Sequence, residues 1–198
     1  MRNRVVDFTM PFMVDHLAAL TKKRFNFQYL DDLAKHSTVK YGVLAGGSTE
    51  AFFQSSRVAV YAKMWTEMSR DGNASRVRTT QEGIERVMAS TDESPWAFLS
   101  DSSSFSYVAG QQCELQVIKA RFATRYLSLA VQLGSQYLDR LTLAVLEMLE
   151  NGQLYQLRSK WWYERSRCAL SADAFSVHCA KLRALYLSAL MLVIRLLQ

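Results

Sequence analysis

Hydrophobic and polar positions change period repeatedly along this chain. Val39, Tyr41 and Val43 alternate with polar or small residues, which predicts a short half-buried strand ended by Gly46-Gly47. Ser48 and Thr49 are N-cap residue types, Glu50 suits a first helical turn, and Ala51, Phe52 and Phe53 begin an apolar face. Tyr61, Met64, Trp65 and Met68 recur at helical spacing, and Asp71-Gly72-Asn73 closes that helix. Thr79 with Glu82 is a capping-box pattern ahead of Ile84, Val87 and Met88. Trp96, Phe98 and Leu99 predict a strand, and Ser102 to Ala109 a short helix with Ser102 as cap. Two further strands are expected over 115–118 and 127–131. Leu138, Leu141, Val145 and Leu149 then form a second helical stripe stopped by Gly152, and Leu154, Leu157 and Trp161 a third.

Strands alternating with helices at short intervals predict an α/β class with a mostly parallel sheet flanked by helices. Residues 14–38 fit this rhythm least well. His16-Leu17-Ala18-Ala19-Leu20-Thr21 reads as helical, and Asp31 to Lys35 as a short helix before the first strand.

Composition narrows the function classes. The chain has 198 residues, 49% of them hydrophobic and 21% charged, which is a globular balance rather than a disordered one. The net charge of +6 is spread along the chain, with small knots at Lys22-Lys23-Arg24 and at Lys119, Arg121 and Arg125. Nucleic-acid binding asks for a clustered basic face interleaved with aromatics, so no nucleic-acid partner is expected. The charged start, Met1 to Asp7, does not have the form of a secretory signal. Ala184 to Ile194 is apolar, lies between Arg183 and Arg195, and as a helix would cross about half of a bilayer core. No transmembrane helix is expected from the sequence. Cys113, Cys168 and Cys179 make an odd count, and composition leaves free thiols and a disulfide both open.

Gly46-Gly47-Ser48-Thr49 carries the most chemistry. Glycines let the backbone approach a ligand, and the N–H groups of a helix start together with two hydroxyls can hold a carboxylate. An ordinary capped turn has the same sequence, so both readings stand at this point. It is not a Walker loop, because no lysine follows the second glycine at the required place. Asp101 directly follows a predicted strand, at the end where parallel sheets bind ligands. It could pair with a ligand ammonium or serve as a helix N-terminal acid. His16, His36 and His178 stand alone, with no metal-ligand spacing and no nucleophile elbow. Neither an enzyme nor a metal site is expected, and no cofactor is implied.

Several ordered stretches resemble the ionotropic glutamate receptors, of the kainate/AMPA type. Arg2-Asn3-Arg4-Val5-Val6-Asp7-Phe8-Thr9-Met10-Pro11-Phe12-Met13 resembles the family's R-E-x-V-I-D-F-S-K-P-F-M. Asp31 to Lys35, Lys40-Tyr41-Gly42, Gly46 to Thr49 with Phe52-Phe53, and Tyr61-Ala62-Lys63-Met64-Trp65 follow the second ligand-binding segment. So do Glu82 to Val87, Trp96 to Leu99, Gly134-Ser135, Leu154 with Leu157, Lys160-Trp161-Trp162 and Cys168. The resemblance covers 1–13 and 30–168.

It implies a periplasmic-binding-protein-like lobe, half of a clamshell that closes on an amino acid. Arg2 matches the arginine that grips the ligand carboxylate, in a role that suits a bidentate guanidinium. Ser48 and Thr49 match the residues that contact ligand carboxylates from the second lobe, and Asp101 matches the acid that holds the amine. Aspartate in place of glutamate leaves glutamate, glycine and D-serine as ligands. Cys113 and Cys168 match the family's disulfide. The resemblance further implies partner subunits in a tetramer, and a cell-membrane location with the ligand-binding part extracellular.

The departures set the expected organisation. The pore segments and most of the first lobe have no counterpart. Leu17-Ala18-Ala19-Leu20-Thr21 resembles the L-A-A-F-L-T that ends the third membrane helix. Lys119 to Ser128 replaces a glycine-rich family stretch. The expected divisions are a first-lobe remnant over 1–13, a junction in place of the pore over 14–29, and a second lobe over 30–130. Helices returning to the first lobe follow over 131–168, and a degenerate membrane-helix region over 169–198. The implied function is that of a fragment or short form of a ligand-gated channel subunit. The alternatives are a soluble amino-acid-binding protein and a non-conducting accessory subunit.

Overall fold

The computed structural model describes residues 5–24, 27–36 and 38–168. Arg2, Cys179, His178 and the 169–198 region lie outside them. The elements run β1 (Val6–Phe8), β2 (Met13–Lys22), α1 (Leu30–Leu33), β3 (Lys40–Leu44), α2 (Ser48–Ser55), α3 (Ala59–Asp71), β4 (Arg76–Val77) and α4 (Thr80–Ala89). They continue with β5 (Trp96–Asp101), α5 (Ser102–Gln111), β6 (Leu115–Leu127), β7 (Ala130–Gln132), α6 (Leu138–Glu150) and α7 (Gln153–Arg158). A wider π-type turn over Ser159–Glu164 follows.

Five strands form the main sheet in the order β4-β3-β5-β2-β6, and β1 pairs with β7 separately. The α/β class stands, but the sheet is mixed rather than mostly parallel. β3 pairs in parallel with β4 and β5, while β2 is antiparallel to both β5 and β6. Crossovers through α2–α3 and α4 produce the parallel half, as helical connections must. The antiparallel half comes from β2, which reaches the sheet from the other direction.

The helix expected over His16–Thr21 is part of strand β2. Alanine and leucine favour helices in isolation, but propensity is a weak prior against tertiary context. Leu17 and Ala19 enter one core, with Tyr41, Val43, Ala97 and Leu99 and with Phe53, Tyr61, Met64 and Met68 from α2 and α3. Ala18 and Leu20 enter the other, with Phe98, Ile84 and Val87 of α4 and Phe105 of α5. Alternate residues of one strand thus feed two apolar layers, so a strand covered on both faces reads as a continuous apolar run. The likeness of Leu17–Thr21 to the end of a membrane helix does not extend to its conformation.

β6 is far longer than the strand expected over 115–118. It runs Leu115–Leu127 beside β2 from Lys22↔Leu115 to Met13↔Leu127, with a register shift between His16 and Ala18. The strand expected over 127–131 survives only as β7, over 130–132. Elsewhere the expected elements form. Thr79 caps α4 by accepting from the Glu82 N–H at 3.1 Å, while the Glu82 carboxylate reaches Arg78 N–H rather than Thr79. α6 is only partly covered, with Val145 buried but Leu143 and Leu149 exposed, and Leu157 of α7 and Trp161 of the π-type turn are exposed as well.

Candidate functional site

Parallel pairing of β3 with β5 (Val43↔Leu99) brings the loop after β3 and the end of β5 to the same edge of the sheet. Gly46 turns the chain with φ +69, a conformation that favours glycine. Gly47, not Ser48, is the N-cap of α2, so Ser48 and Thr49 are its first two helical residues. Ser48 is exposed and Thr49 is buried. The loop already holds one acid of its own. The Glu50 carboxylate accepts from Gly46 N–H at 2.7 Å and from Arg76 Nε at 2.6 Å, and Arg76 lies over the Trp65 ring. Burial pushes the Glu50 carboxyl up, but the Arg76 and Gly46 hydrogen bonds outweigh it and the net shift is downward.

Asp101 ends β5 and occupies the N-cap position of α5 without capping it through its side chain. Its Oδ1 accepts from Arg125 Nη1 at 2.6 Å, and the same Nη1 donates to Thr49 Oγ1 at 3.2 Å. The Arg125 guanidinium also sits over Phe52, 5.6 Å from the ring centroid. Two of the residues singled out from sequence are therefore joined, from separate elements, by a third. Arg125 was visible in the sequence only as part of a basic knot. Its approach to Asp101 depends on β6 lying next but one to β5, with β2 between them.

The capping that Ser102 and Asp101 do not provide comes from Asp15 on β2. Asp15 is 1% exposed. Its Oδ1 accepts from Ser102 Oγ at 2.6 Å, Ser103 N–H at 3.0 Å and His16 N–H at 2.7 Å, and its Oδ2 accepts from Ser103 Oγ. Burial pushes its carboxyl up, yet the Ser102, Ser103 and His16 bonds hold it below the usual carboxylate range. This buried acid fixes the start of α5 beside Asp101. Its only sequence signal was a charged residue ahead of an apolar run.

Cys113 and Cys168 are bonded, with Cα atoms 5.2 Å apart across 55 positions, as the resemblance implied. Closing a loop of that length stabilises by about 4 kcal/mol in the chain-entropy account. The bond holds the segment after the π-type turn against α5, where Arg167 and Cys168 N–H both donate to Gly110 O. Trp162 Nε1 adds a bond to Ser103 O at 2.8 Å. Among the described residues, no group of three or more His, Cys, Asp or Glu converges as a metal site. No helix among them is long and apolar enough to cross a membrane.

Chemically, the cluster offers an acid and a base with capacity left over. The Asp101–Arg125–Thr49 hydrogen bonds engage only Nη1 of the guanidinium and Oδ1 of the carboxylate. Both side chains are partly exposed, at 21% for Arg125 and 32% for Asp101. A zwitterion presents the complementary pair of groups.

The human protein "Glutamate receptor ionotropic, kainate 1" is 38% identical over 132 residues, covering 67% of this chain. The chain is a homologue of kainate-type ionotropic glutamate receptor subunits. "Glutamate receptor ionotropic, kainate 5" of Mus musculus is 38% identical over 143 residues, or 72% of the chain, and the Rattus norvegicus kainate 1 protein is 37% identical over 132. These relatives are receptors rather than enzymes. The chain spans about 14% of the length of each. No family model matches it.

Proposed function

We propose that this chain is a short form or fragment of an ionotropic glutamate receptor subunit whose second ligand-binding lobe binds an amino acid, glutamate or a close analogue. The observation that carries the reading is the convergence of Thr49, Asp101 and Arg125 at the carboxyl ends of parallel strands, in a homologue of kainate receptor subunits. In this reading the ligand ammonium sits on Asp101, and its carboxylates sit on Ser48, Thr49 and the start of α2. Arg2 clamps the α-carboxylate from the first-lobe remnant.

The second lobe then includes β2, because that strand completes both cores. The junction narrows accordingly from 14–29 to 23–29, between the end of β2 and the start of α1. Residues 1–13 remain the first-lobe remnant, 131–168 the helices that return toward it, and 169–198 the membrane-helix remnant. Agonist closure can open a pore only if the closed state binds more tightly. This chain lacks the pore segments and does not conduct by itself. The Cys113–Cys168 bond supports an extracellular setting, in keeping with a cell-membrane receptor.

The exposed Leu143, Leu149, Leu157 and Trp161 favour a second reading, in which the chain acts as a non-conducting accessory subunit assembled with full-length partners. Co-purification with a full-length subunit separates it from a soluble amino-acid-binding protein. The binding test is calorimetry with glutamate, glycine and D-serine on the full chain and on Asp101→Ala. Binding that Asp101→Ala weakens at least tenfold supports the proposal. An absence of heat at millimolar ligand refutes it.

A further inference from the structure

Nothing in the proposed ligand site uses the turn between α3 and β4. The chain has four asparagines, Asn3, Asn26, Asn73 and Asn151. Only Asn73 is followed two places later by Ser or Thr, as Asn73-Ala74-Ser75, the acceptor pattern for N-linked glycans. We propose that Asn73 is glycosylated.

Geometry and compartment both point to this site. Asn73 lies in the tight 3-10 turn Gly72–Ser75 and is exposed, with Ala74, Ser69 and Arg70 exposed around it. Its backbone carbonyl accepts from Arg76 N–H, and the Ser75, Arg76 and Arg86 side chains donate to the turn's other carbonyls and to Met68 O, so the turn is held without the Asn73 side-chain amide. The turn leads into β4, the two-residue edge strand of the sheet. A glycan there projects beside an edge that is otherwise open to pairing. Thr49 and Asp101 lie past the carboxyl ends of the strands, whereas Asn73 precedes the amino end of β4, so the modification leaves the ligand site open. The Cys113–Cys168 bond is an independent sign of the oxidising lumen in which the transfer takes place.

The order of events follows from Ser75. Ser75 is 2% exposed, and its hydroxyl donates to Met68 O at 2.6 Å and Gly72 O at 2.9 Å. A transferase reads the hydroxyl of the acceptor triplet, so transfer precedes closure of this turn. The co-reactant is an oligosaccharide carried on a lipid pyrophosphate. A bond forms between Asn73 Nδ2 and the anomeric carbon, and the bond from that carbon to the pyrophosphate oxygen breaks. The lipid diphosphate leaves with the electron pair, Nδ2 gives up one proton, and nothing is oxidised or reduced.

The test expresses the full chain behind a cleavable secretory leader in mammalian cells. Chains with Cys113–Cys168 oxidised are read by intact mass and peptide mapping, before and after an N-glycan amidase. The expected wild-type product carries one glycan increment that the amidase removes, converting Asn73 to Asp. Asn73→Gln is expected to lack the increment and Ser75→Thr to retain it. Oxidised chains with unmodified Asn73 overturn the proposal, as does an increment that persists in Asn73→Gln. Transfer takes place on the unfolded chain, so poor folding of a variant does not mask the result. The outcome is also independent of ligand binding.

Discussion

Asp15→Asn removes one negative charge from the interior while keeping the side chain's shape. In the wild type, that carboxylate accepts from Ser102 Oγ, Ser103 N–H and Oγ, and His16 N–H, at 1% exposure. Hydrogen bonds to a charged partner contribute about 1.5–3 kcal/mol each, and a buried donor left unmatched costs about 1–3 kcal/mol. Asparagine keeps one accepting oxygen but turns an NH2 toward a hydroxyl that has to reorient. The charge also lies at the start of α5, where the helix dipole favours an anion. A net loss of about 2 kcal/mol at neutral pH is expected, which for a chain of this size lowers Tm by roughly 4–8 °C.

The pH dependence supplies a sharper test. Asp15 has its pKa lowered in the fold, against about 3.9 for an unfolded aspartate. A depressed folded pKa gives stability that is fully present above the unfolded value and is lost as pH falls through the folded one. The gap between wild type and Asp15→Asn is therefore constant from neutral pH down to about pH 4 and closes below it. Urea unfolding of both proteins across that range, followed by fluorescence, measures it. A gap under about 0.5 kcal/mol at pH 7, or one that stays constant into strong acid, would refute the reasoning.

The remaining expectations concern the disulfide, a helix–sheet contact and the ligand site. Reducing Cys113–Cys168, or replacing both residues by serine, is expected to cost up to about 4 kcal/mol in denaturant unfolding, and an unchanged midpoint would contradict its structural role. Gly83→Ala puts a methyl group 2.5 Å from Phe98 Cε1, so overpacking of about 1–3 kcal/mol outweighs the roughly 1 kcal/mol gained in helix propensity. A net loss of about 1 kcal/mol is expected in the same assay, and a stabilised variant would show that α4 can move off the sheet. Arg125→Ala removes the cation that positions Asp101 and Thr49, and calorimetry is expected to show glutamate binding weakened about tenfold. An unchanged Kd would remove Arg125 from the site.

The sequence by itself determined the features that depend on neighbours along the chain. The strand at Val39–Val43, the stripes of α3 and α6, the Thr79 cap and the stop at Gly72 are local and formed, although β3 is buried on both faces rather than on one. The resemblance added the Cys113–Cys168 pair and a short set of site residues, because ordered motifs carry information that periodicity does not.

Tertiary structure decided whatever depends on partners far away in sequence. Leu17-Ala18-Ala19-Leu20 has no polar position to mark a period, so only the two apolar layers on either side make it a strand. That strand enters antiparallel and turns a mostly parallel sheet into a mixed one. The same placement sets Asp15 under α5 and brings Arg125 of β6 to Asp101 of β5. Both charges find their side-chain partners on other elements, Ser102 and Ser103 of α5 for Asp15 and Asp101 with Thr49 for Arg125. Their pairing comes from strand order, which hydrophobic periodicity does not encode.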